Sequence, residues 1–276
     1  MNFVFGYWED FCRQLQTRGI HSIPACEITR DHQCYLVLKH DVETNVTKAY
    51  KMAQIETKYG HRGSYYVQAY LLNNQANILM LKKMQQMGHE VSYHYDVMDS
   101  SKGNLDNAIR EFDDNCSAFE ENGFSIKTVC QHGNPVVIRN GYHSNRDFFR
   151  NPDVRKRYPG ISDIMVNYKE TVPTEFLYFS DAGRQLKQIF DPLNNDIVNS
   201  DDRNILFRDL DALLKGLSHT AGNIVSVHPH RWTNTALEYT AKRWVFQWAR
   251  AAAKMLFRIP AVRGVMSRYY YLAKKI

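Results

Sequence analysis

The feature that most constrains the fold is a rhythm. Apolar runs of four or five residues occur at 35–39, 63–67, 90–93, 127–131, 163–167, 176–180 and 223–227. Between them lie helical patterns at 7–18, 47–59, 75–87, 105–122 and 202–219, three of which run straight into Gly60, Gly88 and Gly123. Glycine accepts the left-handed backbone that ends a helix. Strands that alternate with helices of this length are joined by crossovers, so the strands lie parallel. The expected class is α/β, as a distorted (β/α) barrel with about seven parallel strands. An open doubly wound sheet is the other arrangement the pattern allows. The stretch 133–160 has little periodicity and reads as a long loop of functional character.

The strand ends carry the chemistry. Tyr35-Leu36-Val37-Leu38 gives way abruptly to Lys39, His40, Asp41 and, after Val42, Glu43. The third run ends in His94-Tyr95-Asp96, and the fourth in Gln131-His132-Gly133-Asn134-Pro135. The run at 176–180 is followed by Asp181, and the last by His228-Pro229-His230-Arg231-Trp232. A single such residue is ordinarily structural; Asp41 and Glu43 alone would also suit a helix cap beside Thr44 or Asn45. Five polar strand ends together point to an active site, because α/β folds gather their reacting groups there. Histidines and carboxylates without paired cysteines suit one divalent metal such as zinc, which acidifies a bound water.

Other classes lack support. There is no G-x-S-x-G elbow, no phosphate-binding P-loop and no G-x-G-x-x-G, so serine hydrolases and nucleotide cofactors are not indicated. The five cysteines are an odd number and form no C-x-x-C pair, as in a reducing compartment. The first residues lack a secretory pattern and no run is long enough to span a membrane, so a cytoplasmic location is expected. The formal charge is +6, yet residues 239–276 hold nine Lys or Arg and no acid, leaving −3 for the rest. Nucleic acid is therefore not an expected partner of the main body.

From Tyr35 to Trp232 these motifs resemble the polysaccharide deacetylase family, carbohydrate esterase family four, in a divergent branch found with bacterial surface-polysaccharide genes. The resemblance implies a distorted barrel that removes N- or O-acetyl groups from sugars with one divalent metal, usually zinc. It implies Asp41 as the base. The family's adjacent ligand position is Val42 here, and Glu43 is the nearest substitute. Gly88-His89-Glu90 leads to His94, the first histidine ligand; the second would fall at Met98, with Asp96, Asp99 or His132 as replacements. Asp181 matches the aspartate that orients the acid, and His228 the histidine that protonates the leaving group.

The resulting expectation is a deacetylase with Glu43, His94 and His132 on the metal, and Asp41, Asp181 and His228 in catalysis. Tyr95, Asn134, His230 and Trp232 would bind an acetylated sugar or glycan, including one built on a lipid carrier. A non-catalytic glycan-binding protein and a hydrolase of cyclic amides are the alternatives on the same fold. Residues 1–238 form the expected barrel domain and 239–276 a basic amphipathic helical tail. That tail reads either as a helix packed on the barrel or as one lying on an anionic membrane at its inner face.

Overall fold

The computed structural model describes residues 3–134, 137–172, 175–194 and 203–256. Its strands are β1 Leu36–Val42, β2 Ser64–Val67, β3 Glu90–Tyr95, β4 Thr128–Gln131, β5 Ser162–Asp163, β6 Phe176–Ser180, β7 Lys187–Gln188, β8 Ile205–Leu206 and β9 Gly222–Val227. They form one sheet in the order β5-β4-β3-β2-β1-β9-β6-β7-β8. The seven from β5 to β6 are parallel; β7 and β8 add an antiparallel edge. Seven parallel strands match the sequence pattern. The expected distorted barrel is not shown to close: among the described residues no ladder joins β5 to β8.

All seven residues of β1 are buried, as its apolar run requires of a central strand. Side chains alternate between two faces. Leu36 and Leu38 join a cluster with Trp8, Phe11 and Leu213, beneath the helices Phe5–Thr17 and Leu210–Lys215. Val37 faces the other way and shares a cluster with Tyr66, Cys130, Tyr178 and Ile224. Cys130 on β4 and Tyr178 on β6 are five strands apart in the ladder, so the sheet curls strongly around this inner face. A third cluster lies under the helices Gln75–Gln86 and Leu105–Glu121. Gly60, Gly88 and Gly123 have φ of 74, 89 and 81°, the left-handed turns that stop three of the helices.

Two expectations are corrected. The helix expected at 202–219 is only Leu210–Lys215, because Asp209 caps it by accepting from the Ala212 amide at 2.9 Å; the stretch before the cap forms β8, and residue 202 lies outside the described residues. The long loop contains two short helices, Asp147–Arg150 and Pro152–Arg157, while residues 135–136 are outside the described part. The last helix, Ala236–Leu256, runs across the expected boundary at 238, with Tyr239 buried against Phe3 at 5.8 Å. The second part of the expected tail, beyond 256, lies outside the described residues.

Candidate active site

Because β1, β3, β4, β6 and β9 are parallel, their carboxyl ends share one edge of the sheet. Asp41 is near the end of β1, His94 near the end of β3, and His132, Asp181 and His228 directly follow β4, β6 and β9. The structure brings these residues together. His228 Nε2 lies 3.7 Å from Asp41 Oδ2 and 3.7 Å from Glu43 Oε1. His132 Nδ1 is 3.5 Å from Glu43 Oε1 and 3.2 Å from His94 Nε2.

Beneath Asp41 sits Lys39, only 1% exposed, on the same face of β1. Its ammonium donates to both Asp41 oxygens at 2.5 and 2.7 Å and to Ser226 Oγ at 3.2 Å. Burial works to raise the Asp41 carboxyl, but Lys39, then His94 and His228, hold it well below the usual carboxylate range. Glu43 is likewise held low: burial opposes its charge, and His132, His228 and His230 outweigh that. Burial lowers His94 below the ordinary imidazole value, which keeps the ring neutral near pH 7.

On the far side, Asp181 is fully buried and grips His228 twice. Its Oδ1 is 2.5 Å from Nδ1, and its Oδ2 accepts from the His228 amide at 3.0 Å. Arg231 donates to Asp181 Oδ1 at 3.0 Å and to its carbonyl at 2.8 Å. Burial would raise the Asp181 carboxyl, yet His228 and Arg231 leave it lowered.

The donor set fits a divalent metal. Glu43, His94 and His132 each offer a ligand atom, all within 4.8 Å of one another. Two ligands about 2.0–2.1 Å from a tetrahedral zinc stand about 3.3–3.4 Å apart. The 3.2 Å and 3.5 Å separations bracket that spacing. His94 Nδ1 is 3.0 Å from the Cys130 carbonyl, the outer bond that fixes a tautomer and leaves Nε2 free to ligate. A second group, Asp41, His94 and Cys130, also converges. It is the poorer set, since Asp41 is taken up by Lys39 and burial drives the Cys130 thiol far above its ordinary value.

Other expected site residues fall differently. His230 lies at the margin, with Nδ1 3.9 Å from Glu43 Oε2, and burial pushes its ring down to about 4. The carbonyl of Asn134 accepts from Arg139 at 2.8 Å. Tyr95 and Trp232 are core residues, not ring platforms, and both are 0% exposed. Tyr95 packs on Phe112, Phe148 and Phe149 and donates its hydroxyl to Asp163. Trp232 packs between Phe3 and Trp8, each at 5.3 Å. Asp99, a candidate replacement ligand, instead takes a bidentate contact from Arg139 at 2.8 and 2.9 Å and bonds from Tyr142 and Asn145.

Several contributors escaped sequence reading. Lys39 and Arg231 set the charge balance. Asn145 Nδ2 donates to the His132 carbonyl at 2.9 Å, so the Asp99 cluster anchors the loop that carries a candidate ligand. Tyr70 is half exposed and donates its hydroxyl to the Glu43 carbonyl. Its ring, beside the carboxylates, can offer the face that Tyr95 and Trp232 cannot. The parity of β1 signals Lys39; nothing in the sequence signals the other three.

No family model and no curated protein matches the chain. A solved structure of the peptidoglycan deacetylase PdaC from Bacillus subtilis is similar over 78% of this chain and 96% of that one, at 14% identity and a TM-score of 0.35.

Proposed function

We propose that this chain is a metal-dependent hydrolase that removes an acetyl group from an N- or O-acetylated sugar of a surface glycan or its precursor, in the cytoplasm. The observation that carries the reading is the convergence of the carboxylates of Asp41 and Glu43, the His94–His132 pair and the Asp181–His228 pair on one spot. The motif order from Asp41 to His228 supports the sugar-deacetylase class within that chemistry. Glu43, His94 and His132 would hold the metal, which supplies Lewis acidity toward an acyl carbonyl and acidifies water.

The protein's own residues manage the protons. Asp41 is kept ionised by Lys39 and each of its oxygens retains a lone pair, so Oδ2 accepts the proton of the attacking water. Asp181 accepts from His228 Nδ1, which leaves Nε2 as the atom that delivers a proton to the departing sugar amine or hydroxyl. Arg231 keeps Asp181 ionised for that task. Tyr70 and His230 flank the entrance and position the sugar, with Asn134 on the loop beyond His132. His132, 3.2 Å from His94, would serve as the second histidine that Met98 cannot supply, which favours an enzyme over a non-catalytic binder.

The test is acetate release from N- and O-acetylated oligosaccharides by protein loaded with zinc, cobalt or manganese. The reading predicts turnover that disappears on chelation and in His228→Ala. Failure of all three metals to bind, or acetate release that survives His228→Ala, would remove it.

A further inference from the structure

The helix Ala236–Leu256 presents an apolar stripe that nothing in the described protein covers. Leu237 is 81% exposed, Trp244 60%, Val245 63% and Trp248 72%. At about 100° per residue these four and Ala241 fall within about 100° of arc. Tyr239 projects to the opposite side, where it is buried against Phe3. The helix is thus fixed to the body by one face and holds its tryptophans outward. Exposed Lys242, paired with Glu238 at 2.7 Å, lies about 60° beyond one edge of the stripe, and exposed Arg243 about 100° beyond the other.

We propose that this face docks the protein on an anionic lipid bilayer, with the helix lying in the plane of the headgroups. Three observations select that occupant. Tryptophan between an apolar stripe and flanking cations suits the interface, where ring and indole N–H meet hydrocarbon and water together. The sequence from 239 onward adds nine cations and no acid, which complements acidic headgroups. That same charge disfavours a second copy, whose residues 239–276 would bring nine further cations against these. Nucleic acid would use the cations but leave the exposed Leu237, Val245 and tryptophans without a partner. No helix among the described residues is long and apolar enough to cross a membrane, so the contact is peripheral. Docking does not depend on the proposed deacetylation. It would set the site beside the bilayer, since the helix begins six residues after His230.

The four tryptophans make the test direct. Trp8 and Trp232 are fully buried, whereas Trp244 and Trp248 are exposed. Full-length protein is mixed with phosphatidylcholine vesicles containing about one-third phosphatidylglycerol, and separately with phosphatidylcholine alone. The acidic vesicles should shift tryptophan emission to the blue and carry the protein into the pellet. Raising salt from about 0.05 to 0.5 M should release most of it. Trp244→Ser with Trp248→Ser should lower partitioning about tenfold or more, and Lys242→Glu with Arg243→Glu should weaken it while retaining both indoles. All four side chains are exposed, and circular dichroism checks that the helix persists. Equal pelleting by the double tryptophan variant, no binding to acidic vesicles, or a blue shift that follows protein concentration without lipid would each overturn the proposal. The last result would instead assign the stripe to a second copy.

Discussion

Replacing Asp41 by Asn should do two things at once, and the geometry allows them to be separated. Lys39 is almost fully buried and places its ammonium 2.5 and 2.7 Å from the Asp41 oxygens. Removing one partner of a buried pair costs about 3–5 kcal/mol, because the other charge stays without compensation. Ser226, at 3.2 Å from the ammonium, offsets part of that. Loss of general-base catalysis costs about 10²–10⁴ in rate. Asp41→Asn should therefore be both unstable and inactive, and the inactivity alone would prove nothing. Lys39→Met with Asp41→Asn removes both charges. Replacing a buried pair with uncharged groups of similar volume is often neutral in stability, so the double variant should regain most of the lost stability and none of the activity. Urea unfolding and acetate release measure the two quantities. Acetate release near the wild-type rate by the double variant would show that Asp41 is not the base. Wild-type stability in Asp41→Asn alone would refute the argument from the buried pair.

Tyr95→Phe should lower unfolding free energy by about 1–3 kcal/mol, since Asp163 loses a buried donor, with KM for the sugar unchanged; a raised KM at constant stability would return Tyr95 to the binding site. His94→Ala should reduce bound metal after purification, measured by elemental analysis, and retention of a full equivalent would exclude His94 as a ligand. Burial pushes the Asp163 carboxyl up to about 6, against an ordinary value of 3.8. Its folded-state value is raised, so its contribution to stability is full below about pH 4 and is lost as pH climbs through 6, a change of about 3 kcal/mol. Relative to Asp163→Asn, the wild type should lose urea resistance across that window; parallel curves would refute the assignment.

Six of the parallel strands were legible because each is a short buried run with a sharp polar end; β5 is only Ser162–Asp163 and meets the expected run at 163–167 at one residue. The antiparallel edge was not, since β7 and β8 are two residues each and Ile205 and Leu206 are exposed. Strand parity separates two of the residues that sequence order placed side by side. His94 faces the inner surface with Cys130, while Tyr95 faces the aromatic cluster of Phe112 and Phe148. An aromatic residue next to a histidine reads the same in either role; only its face decides. Trp232 follows the short 3-10 turn Pro229–Arg231, which redirects the chain into the core between Phe3 and Trp8. His132 was legible as one of several polar strand ends; its contact with His94, 38 positions away, was not, because it arises from the β3–β4 pairing.

The same parity gives a physical reason for the spacing Asp41-Val42-Glu43. β1 does not stop at Lys39, as its apolar run suggests, but continues through Val42. Within it, residues 37, 39 and 41 face the inner surface, and 36, 38, 40 and 42 face the helices. Val42 is 1% exposed and lies in the apolar cluster with Val46, Val67 and Leu71. An acid at 42 would be buried there without a partner, at a cost of several kcal/mol. With the strand extended this far, the second carboxylate reaches the inner pocket only from position 43. The equal 3.7 Å distances from His228 Nε2 to Asp41 and Glu43 are the result. His40, the residue between Lys39 and Asp41, follows the other parity: it stacks on Tyr65 at 4.1 Å and places Nε2 2.8 Å from buried Glu56. The histidine closest to the proposed base in sequence thus braces the back of the strand, and the histidines that meet the carboxylates come from β3, β4 and β9.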